Sequence, residues 1–268
     1  MPDLLLDGSE TKRELTLYKN RVSKELDAAR MLQSSIMPSP QILKHVAQSR
    51  NVSVSWLFHP SSELSGDFFT VMPLDDMRVG VLIADLTGHG IAAAINAFRL
   101  HGLVHPVPSL AAEPGPFMSF LSRRLSELLP NCHFATGFYA VLDPWNGELE
   151  CVGAGFTPQF FVERPGAKAR EIDAGGLPLG ILADAHYSRL KFSLDMGGVL
   201  FCYSDALIET RDAWGNCISR EDVQNWVSEA LSAGGDVVDA VWEAAADRLG
   251  TKLPDDLTLV ALHRKKSN

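Results

Sequence analysis

Val81-Leu82-Ile83-Ala84-Asp85-Leu86-Thr87-Gly88-His89-Gly90 passes from an unbroken apolar run into an acid and then a glycine-rich loop. The run, which begins near Arg78, is apolar enough for a strand buried on both faces. A carboxylate at its exit could cap the helix that follows, Ile91–Leu103, but Thr87 and the Gly88-His89-Gly90 loop are nearer that first turn. The loop presents backbone N–H groups at a helix start, a natural place for an anion. It lacks the Lys-Ser/Thr pair of a nucleotide-binding P-loop.

Working outward, strands crowd on both sides. Val52–Phe58 alternates, and Phe68–Met72 follows Asp67. Phe117–Leu129 is a second helix, with Phe117, Phe120, Leu121, Leu125 and Leu128 on one face. Ala135–Asp143 and Leu149–Gly153 form a hairpin through Pro144-Trp145-Asn146-Gly147. Phe160–Glu163, Ala169–Ile172, Tyr187–Leu194 and Gly198–Tyr203 add strands. Helices near Glu221–Leu231 and Val237–Leu249 precede a final strand, Leu257–His263. This order is not the βαβ alternation of a parallel sheet. It predicts an α+β fold, with two antiparallel sheets flanked by helix pairs.

Residues 1–10 read as loose. A helix is expected from Thr11 to Met37, stopped by Pro38 and Pro40. Leu15, Tyr18, Val22, Ala29, Leu32 and Ile36 form its seam, with Glu25 at an imperfect position and Leu26 beside it. The helix packs on its own domain or pairs with a second copy as a coiled coil. The expected division is 1–40 for the linker helix and 41–268 for one domain.

Composition narrows the function. The chain has 268 residues, is 46% hydrophobic and carries a formal charge of -9, so it can bury a large core but offers no basic stripe for nucleic acid. Arg264-Lys265-Lys266 reads as a solvated basic tail. Cys132, Cys151, Cys202 and Cys217 lack metal-type spacing and suggest reduced thiols. No stretch has the length of a membrane span, which predicts a cytoplasmic protein.

Three further motifs repeat the pattern of Asp85: Ser65-Gly66-Asp67, Ser204-Asp205-Ala206 and Pro254-Asp255-Asp256-Leu257-Thr258. Singly, each acid has an ordinary turn role. Together, at the ends of neighbouring strands, they favour a shared cation, because unpaired carboxylates repel and oxygen donors suit hard divalent ions. Glu63 either orients a water or caps a turn. His89 either bonds its loop or donates a proton to a leaving group, the loop role being the plainer. The other histidines do not suggest zinc.

Gly66-Asp67-Phe68-Phe69, the Ala84–Gly90 motif, Phe134-Ala135-Thr136-Gly137-Phe138-Tyr139, Gly176-Leu177-Pro178-Leu179-Gly180, Ser204-Asp205 and Asp255-Asp256-Leu257-Thr258 closely resemble the SpoIIE/RsbU branch of PPM (PP2C-like) serine/threonine phosphatases. Leu26–Gln33 followed by Pro38 is similar to that family's linker helix, so the likeness covers residues 26–262. It implies an αββα sandwich and two manganese or magnesium ions. Asp85 matches the acid bridging both ions, and Leu86 the residue whose carbonyl coordinates. Asp67, Asp205 and Asp255 match the other carboxylates, Asp256 being the lesser member of its pair. The resemblance implies direct attack of an activated water on phosphorus, with Asp85 and Asp67 central to catalysis.

The implied substrate is a phosphorylated STAS-domain anti-sigma-factor antagonist. The arrangement also resembles the C-terminal half of RssB-type response regulators, with an upstream receiver or sensor and dimerisation through the N-terminal helix. Ser65, Thr70, Ala206 and Phe156 depart from the family pattern, and Ala206 in place of glycine raises the prospect of strain beside Asp205. A non-catalytic adaptor binding a sigma factor or antagonist is the alternative reading.

Overall fold

A computed structural model describes residues 8–88, 90–105, 107–130 and 132–265. In chain order the elements are α1 (Gly8–Ser35), α2 (Pro40–Ser49), β1 (Val52–His59), β2 (Asp67–Pro73), β3 (Val79–Leu86), α3 (Ile91–Val104), α4 (Pro108–Ala111) and α5 (Pro114–Leu128). There follow β4 (Ala135–Leu142), β5 (Glu148–Ala154), β6 (Gln159–Val162), β7 (Arg170–Ile172), β8 (Leu190–Ser193) and β9 (Val199–Tyr203). The chain ends with α6 (Ala206–Glu209), α7 (Arg220–Ala233), α8 (Val237–Leu249) and β10 (Leu257–Arg264).

The strands make two antiparallel sheets, in the orders β1-β10-β9-β6-β7 and β2-β3-β4-β5-β8. Period-2 alternation assigns each side chain its layer. In β3, Val79, Val81 and Ile83 join Val260, Leu262 and Cys202 in the core between the sheets. Leu82, Ala84 and Leu86 instead pack outward with Leu100, Phe117 and Leu121 from α3 and α5. That two-sided burial is why the β3 sequence reads as continuously apolar. On the other outer face, Val227 and Val241 from α7 and α8 cover Phe201 and Leu259. The result is the expected αββα sandwich.

Local chemistry moves several boundaries. Pro40, read from sequence with Pro38 as a stop, also starts α2: Ser39 Oγ accepts from the Ile42 N–H at 3.3 Å, and Pro40 occupies the first turn. β8 is shorter than the expected Tyr187–Leu194 strand because only Leu190–Ser193 finds ladder partners on β5. Ala206 is unstrained. It opens α6, and Asp205 before it is right-handed helical at φ -61° and ψ -24°.

The α1 seam also shifts. Val22, Leu26 and Ala29 are partly buried and Gln33 and Ile36 fully so, whereas Leu15, Tyr18 and Leu32 are exposed. Leu26 and Gln33 thus replace Glu25 and Leu32 on the packed face.

The basic tail is likewise not all solvated. Arg264 is buried, and its guanidinium donates to the carbonyls of Pro144 and Leu194 at 2.6 Å and of Trp145 at 2.7 Å. One cation thereby satisfies three loop carbonyls at the far end of the sandwich. Arg264→Met keeps the length but strands these acceptors, at a cost of about 3 kcal/mol. Thermal unfolding should show a fall in Tm on the order of 6–10 °C.

Candidate metal centre

The core between the sheets ends in acids at one rim. Asp67 and Asp85 are direct partners across the β2–β3 ladder, in step with Phe69 and Ile83 on the inward face. From the opposite sheet, Thr258 lies in step with Val260 and Leu262 and donates its hydroxyl to Asp67 Oδ2 at 2.6 Å. Ser204 Oγ accepts from the Thr258 N–H at 2.9 Å and donates to the Asp256 carbonyl at 3.2 Å. The Thr258 hydroxyl therefore pins the acid-bearing ends of the two sheets together, while Ser204 secures the β9–β10 edge within one of them.

The Asp255-Asp256 pair divides its work. Asp256 is buried. Its Oδ1 accepts from the Ser61 N–H at 2.7 Å and hydroxyl at 2.9 Å, and its Oδ2 from the Gly66 N–H at 2.9 Å. Asp255 is exposed and, among the described residues, accepts only its neighbour's N–H, at 2.8 Å. Asp205 starts α6, with its side chain making no capping bond.

Gly66 makes the close approach possible. A Cβ there would lie 2.8 Å from the Leu86 carbonyl oxygen and 3.2 Å from Asp85 Oδ1. Both oxygens thus share the space above one backbone residue, where any side chain would displace them.

Burial and gathered charge together shift these acids. Burial, followed by the charges of Asp205, Asp255 and Asp256, lifts the Asp85 pKa from 3.8 to about 7. Asp67 is raised well above its ordinary value by burial and by Asp85, against the opposing Thr258 hydrogen bond. Asp205 is raised by burial, Glu209 and Asp255. Among the described residues, no lysine, arginine or histidine forms an ion pair with any of these acids. Nor do three or more His, Cys, Asp or Glu side chains stand close enough to hold an ion by themselves. The donor set of carboxylates, a carbonyl and unneutralised charge fits hard divalent cations, with water completing an open shell.

Asp67, Asp85, Leu86, Asp205, Asp255 and Asp256 all sit at this rim. Glu63 does not join them: it is exposed, lines a cleft against α1, and its carbonyl accepts from Arg30 Nε at 3.2 Å. His89 lies outside the described residues. The sequence reading missed the anchoring roles of Ser61, Ser204 and Thr258. Thr258 alone carried a signal, its inward phase with Val260 and Leu262.

The family model described as "Stage II sporulation protein E (SpoIIE)" matches residues 75–265. The chain belongs to the SpoIIE family. Among its relatives, "Phosphoserine phosphatase RsbU" of Bacillus subtilis (strain 168) is 24% identical over 248 residues, covering 92% of this chain and 72% of RsbU. "Phosphoserine phosphatase RsbP" of the same strain is 27% identical over 196 residues, covering 72% of this chain but only 47% of RsbP. The SiaA-PP2C domain of Pseudomonas aeruginosa superimposes with a TM-score of 0.79 at 15% identity, covering 93% of this chain and 99% of that one. RsbX, solved in complex with magnesium, gives a TM-score of 0.58 at 16% identity over 79% of this chain and 93% of its own. The two-sheet architecture is thus the family's PP2C fold. No helix of the described residues is long and apolar enough to cross a membrane.

Proposed function

We propose that this SpoIIE-family chain is a divalent-metal-dependent phosphatase of phosphoserine or phosphothreonine on a regulatory protein. The observation that carries this reading is the in-register Asp67–Asp85 pair, with the Leu86 carbonyl and Asp85 carboxylate converging over Gly66. Asp85, Asp67, Asp205, Asp255 and the Leu86 carbonyl would hold the ions, two of manganese or magnesium. Asp256 spends three accepted hydrogen bonds on Ser61 and Gly66, which favours a scaffold role and leaves Asp255 as the ligand. When bound, the ions would supply Lewis acidity and an acidified water at neutral pH.

The chain's own residues prepare that chemistry. Thr258 orients Asp67 from the opposite sheet, Ser204 fixes the start of β10 beside it, and the repelling acids hold charge that a proton or a cation relieves. Retention of all four carboxylates favours an enzyme over an adaptor on the same fold. With the unsubstituted chain, hydrolysis of a phosphoserine peptide in manganese should fall at least about 100-fold on chelation and return on adding metal back. A rate indifferent to chelation would defeat the reading.

By analogy with RsbU and RsbP, the proposed substrate is a phosphorylated STAS-type anti-sigma-factor antagonist in the cytoplasm, with an upstream receiver or sensor acting through α1. Leu15, Tyr18 and Leu32 are each more than half exposed on that helix, and support a homodimer formed by α1 pairing with its counterpart. Sedimentation should report a dimer that the double substitution Leu15→Glu and Leu32→Glu converts to monomer. A monomeric parent at tens of micromolar would remove the dimer.

A further inference from the structure

Away from the acid rim, two imidazoles share one face of α3. The helix expected from sequence ended at Leu103, short of His105. In the structure its path continues through His105, which caps it at φ -68° and ψ -32° and donates its N–H to the His101 carbonyl. His101 and His105 therefore stand one turn apart on the same face. Their ring centroids lie 4.1 Å apart, with an interplanar angle of 60°. His101 also meets the Phe68 ring edge-on, at 6.0 Å between centroids.

Packing on Phe68 accounts for the carbon faces and leaves the nitrogens without a role. Among the described residues, neither ring takes part in a hydrogen bond or an ion pair, and His101 Nδ1 is buried. A buried polar atom without a protein partner calls for a water or an ion. Burial lowers the pKa of both histidines, and His105 lowers that of His101 further. Both rings are thus neutral near pH 7 and present lone pairs. His105 is exposed, so the pair opens to solvent on one side. The surroundings favour a cation: the last carbonyls of α3 carry the negative end of the helix dipole, and the chain has a formal charge of -9.

We propose that His101 and His105 form a metal site separate from the acid rim, which takes a zinc ion through one nitrogen of each ring. Imidazole donors suit zinc, nickel and copper, whereas the rim's oxygens suit magnesium and manganese. Among the described residues, no third His, Cys, Asp or Glu stands close enough to join the pair. Water therefore completes the shell, and binding is weaker than at a four-ligand structural zinc site. An ion joining residues one turn apart fastens the end of α3 where it packs on Phe68, the residue after Asp67 in β2. The site does not depend on the phosphatase reading.

Zinc titrated into the full chain in excess magnesium tests this, since magnesium occupies oxygen ligands and leaves imidazole free. Cys132→Ser and Cys217→Ser form the parent background, because those two thiols are not buried and would take zinc themselves. Imidazole NMR signals of His101 and His105 should move together as zinc is added, while that of His263 stays in place. His105→Gln, at an exposed position, should weaken zinc binding at least about ten-fold and shift Tm by no more than about 2 °C. Saturating zinc should raise the parent Tm by roughly 5 °C and leave that of His105→Gln within about 2 °C. Asp85→Asn in the same background should bind zinc within about two-fold of the parent, because it removes no imidazole. Ring signals indifferent to zinc would overturn the site. So would zinc binding that survives His105→Gln or is lost with Asp85→Asn, which would place the ion elsewhere.

Discussion

Asp85→Asn should slow phosphoserine-peptide hydrolysis at least about 1,000-fold at saturating manganese, while raising the stability of the metal-free protein. The substitution keeps the shape of the side chain and removes one charge. That charge faces Asp205, Asp255 and Asp256 and sits beside Asp67 on the next strand. In the folded, metal-free chain it is therefore a liability, and its neutral isostere relieves repulsion. The same charge is the central donor of the proposed ion pair, so losing it removes function. Opposite signs for stability and rate are the mark of a site kept for chemistry at the expense of the fold. A structural acid behaves otherwise: Asn would lower Tm and leave the rate per folded molecule nearly intact. Steady-state kinetics beside thermal melts in chelator separate the two cases.

The sequence made the layers legible because β3 is apolar at every position from Val79 to Ala84, a pattern only a strand covered on both faces can satisfy. The acids were legible as a set for the same reason: each interrupts or borders such a run. What could not be read was partnership. That Asp67 lies opposite Asp85 follows from ladder register, and that Thr258 reaches Asp67 follows from sheet packing. Neither leaves a trace in local composition. The α1 offset has a different cause. Glu25 and Leu26, like Leu32 and Gln33, are adjacent residues, and apolarity favoured Leu32 on the seam. The structure places Gln33 there because its amide has a backbone partner 32 residues away. Ala206 shows the converse error, since a family preference for glycine suggested strain that a right-handed helical start does not contain.

The difference in unfolding free energy between Asp85→Asn and the unsubstituted chain, both metal-free, should grow with pH. Asp85 has a folded pKa of about 7 against an ordinary 3.8. Below the lower value both folded and unfolded chains carry its proton, and the two proteins should differ little. Between the two values the unfolded chain loses the proton while the folded chain retains it. Folding then takes up a proton, and the stability of the unsubstituted chain falls as pH rises. Asp67 and Asp205, both raised, pull in the same direction. His101, His105 and His263, lowered mainly by burial, pull the other way near neutrality. Taking the difference removes the histidines, because both proteins share them. What remains should widen between pH 4 and 7 to the order of 4 kcal/mol and then level off once Asp85 ionises in the folded state. Saturating manganese should invert the trend for the unsubstituted chain alone, since ions and protons compete for the same oxygens and the gain in Tm on adding metal must increase with pH. Urea titrations at four pH values, with and without manganese, decide the matter: a flat difference would mean that neither burial nor the neighbouring aspartates perturb Asp85 in the folded chain.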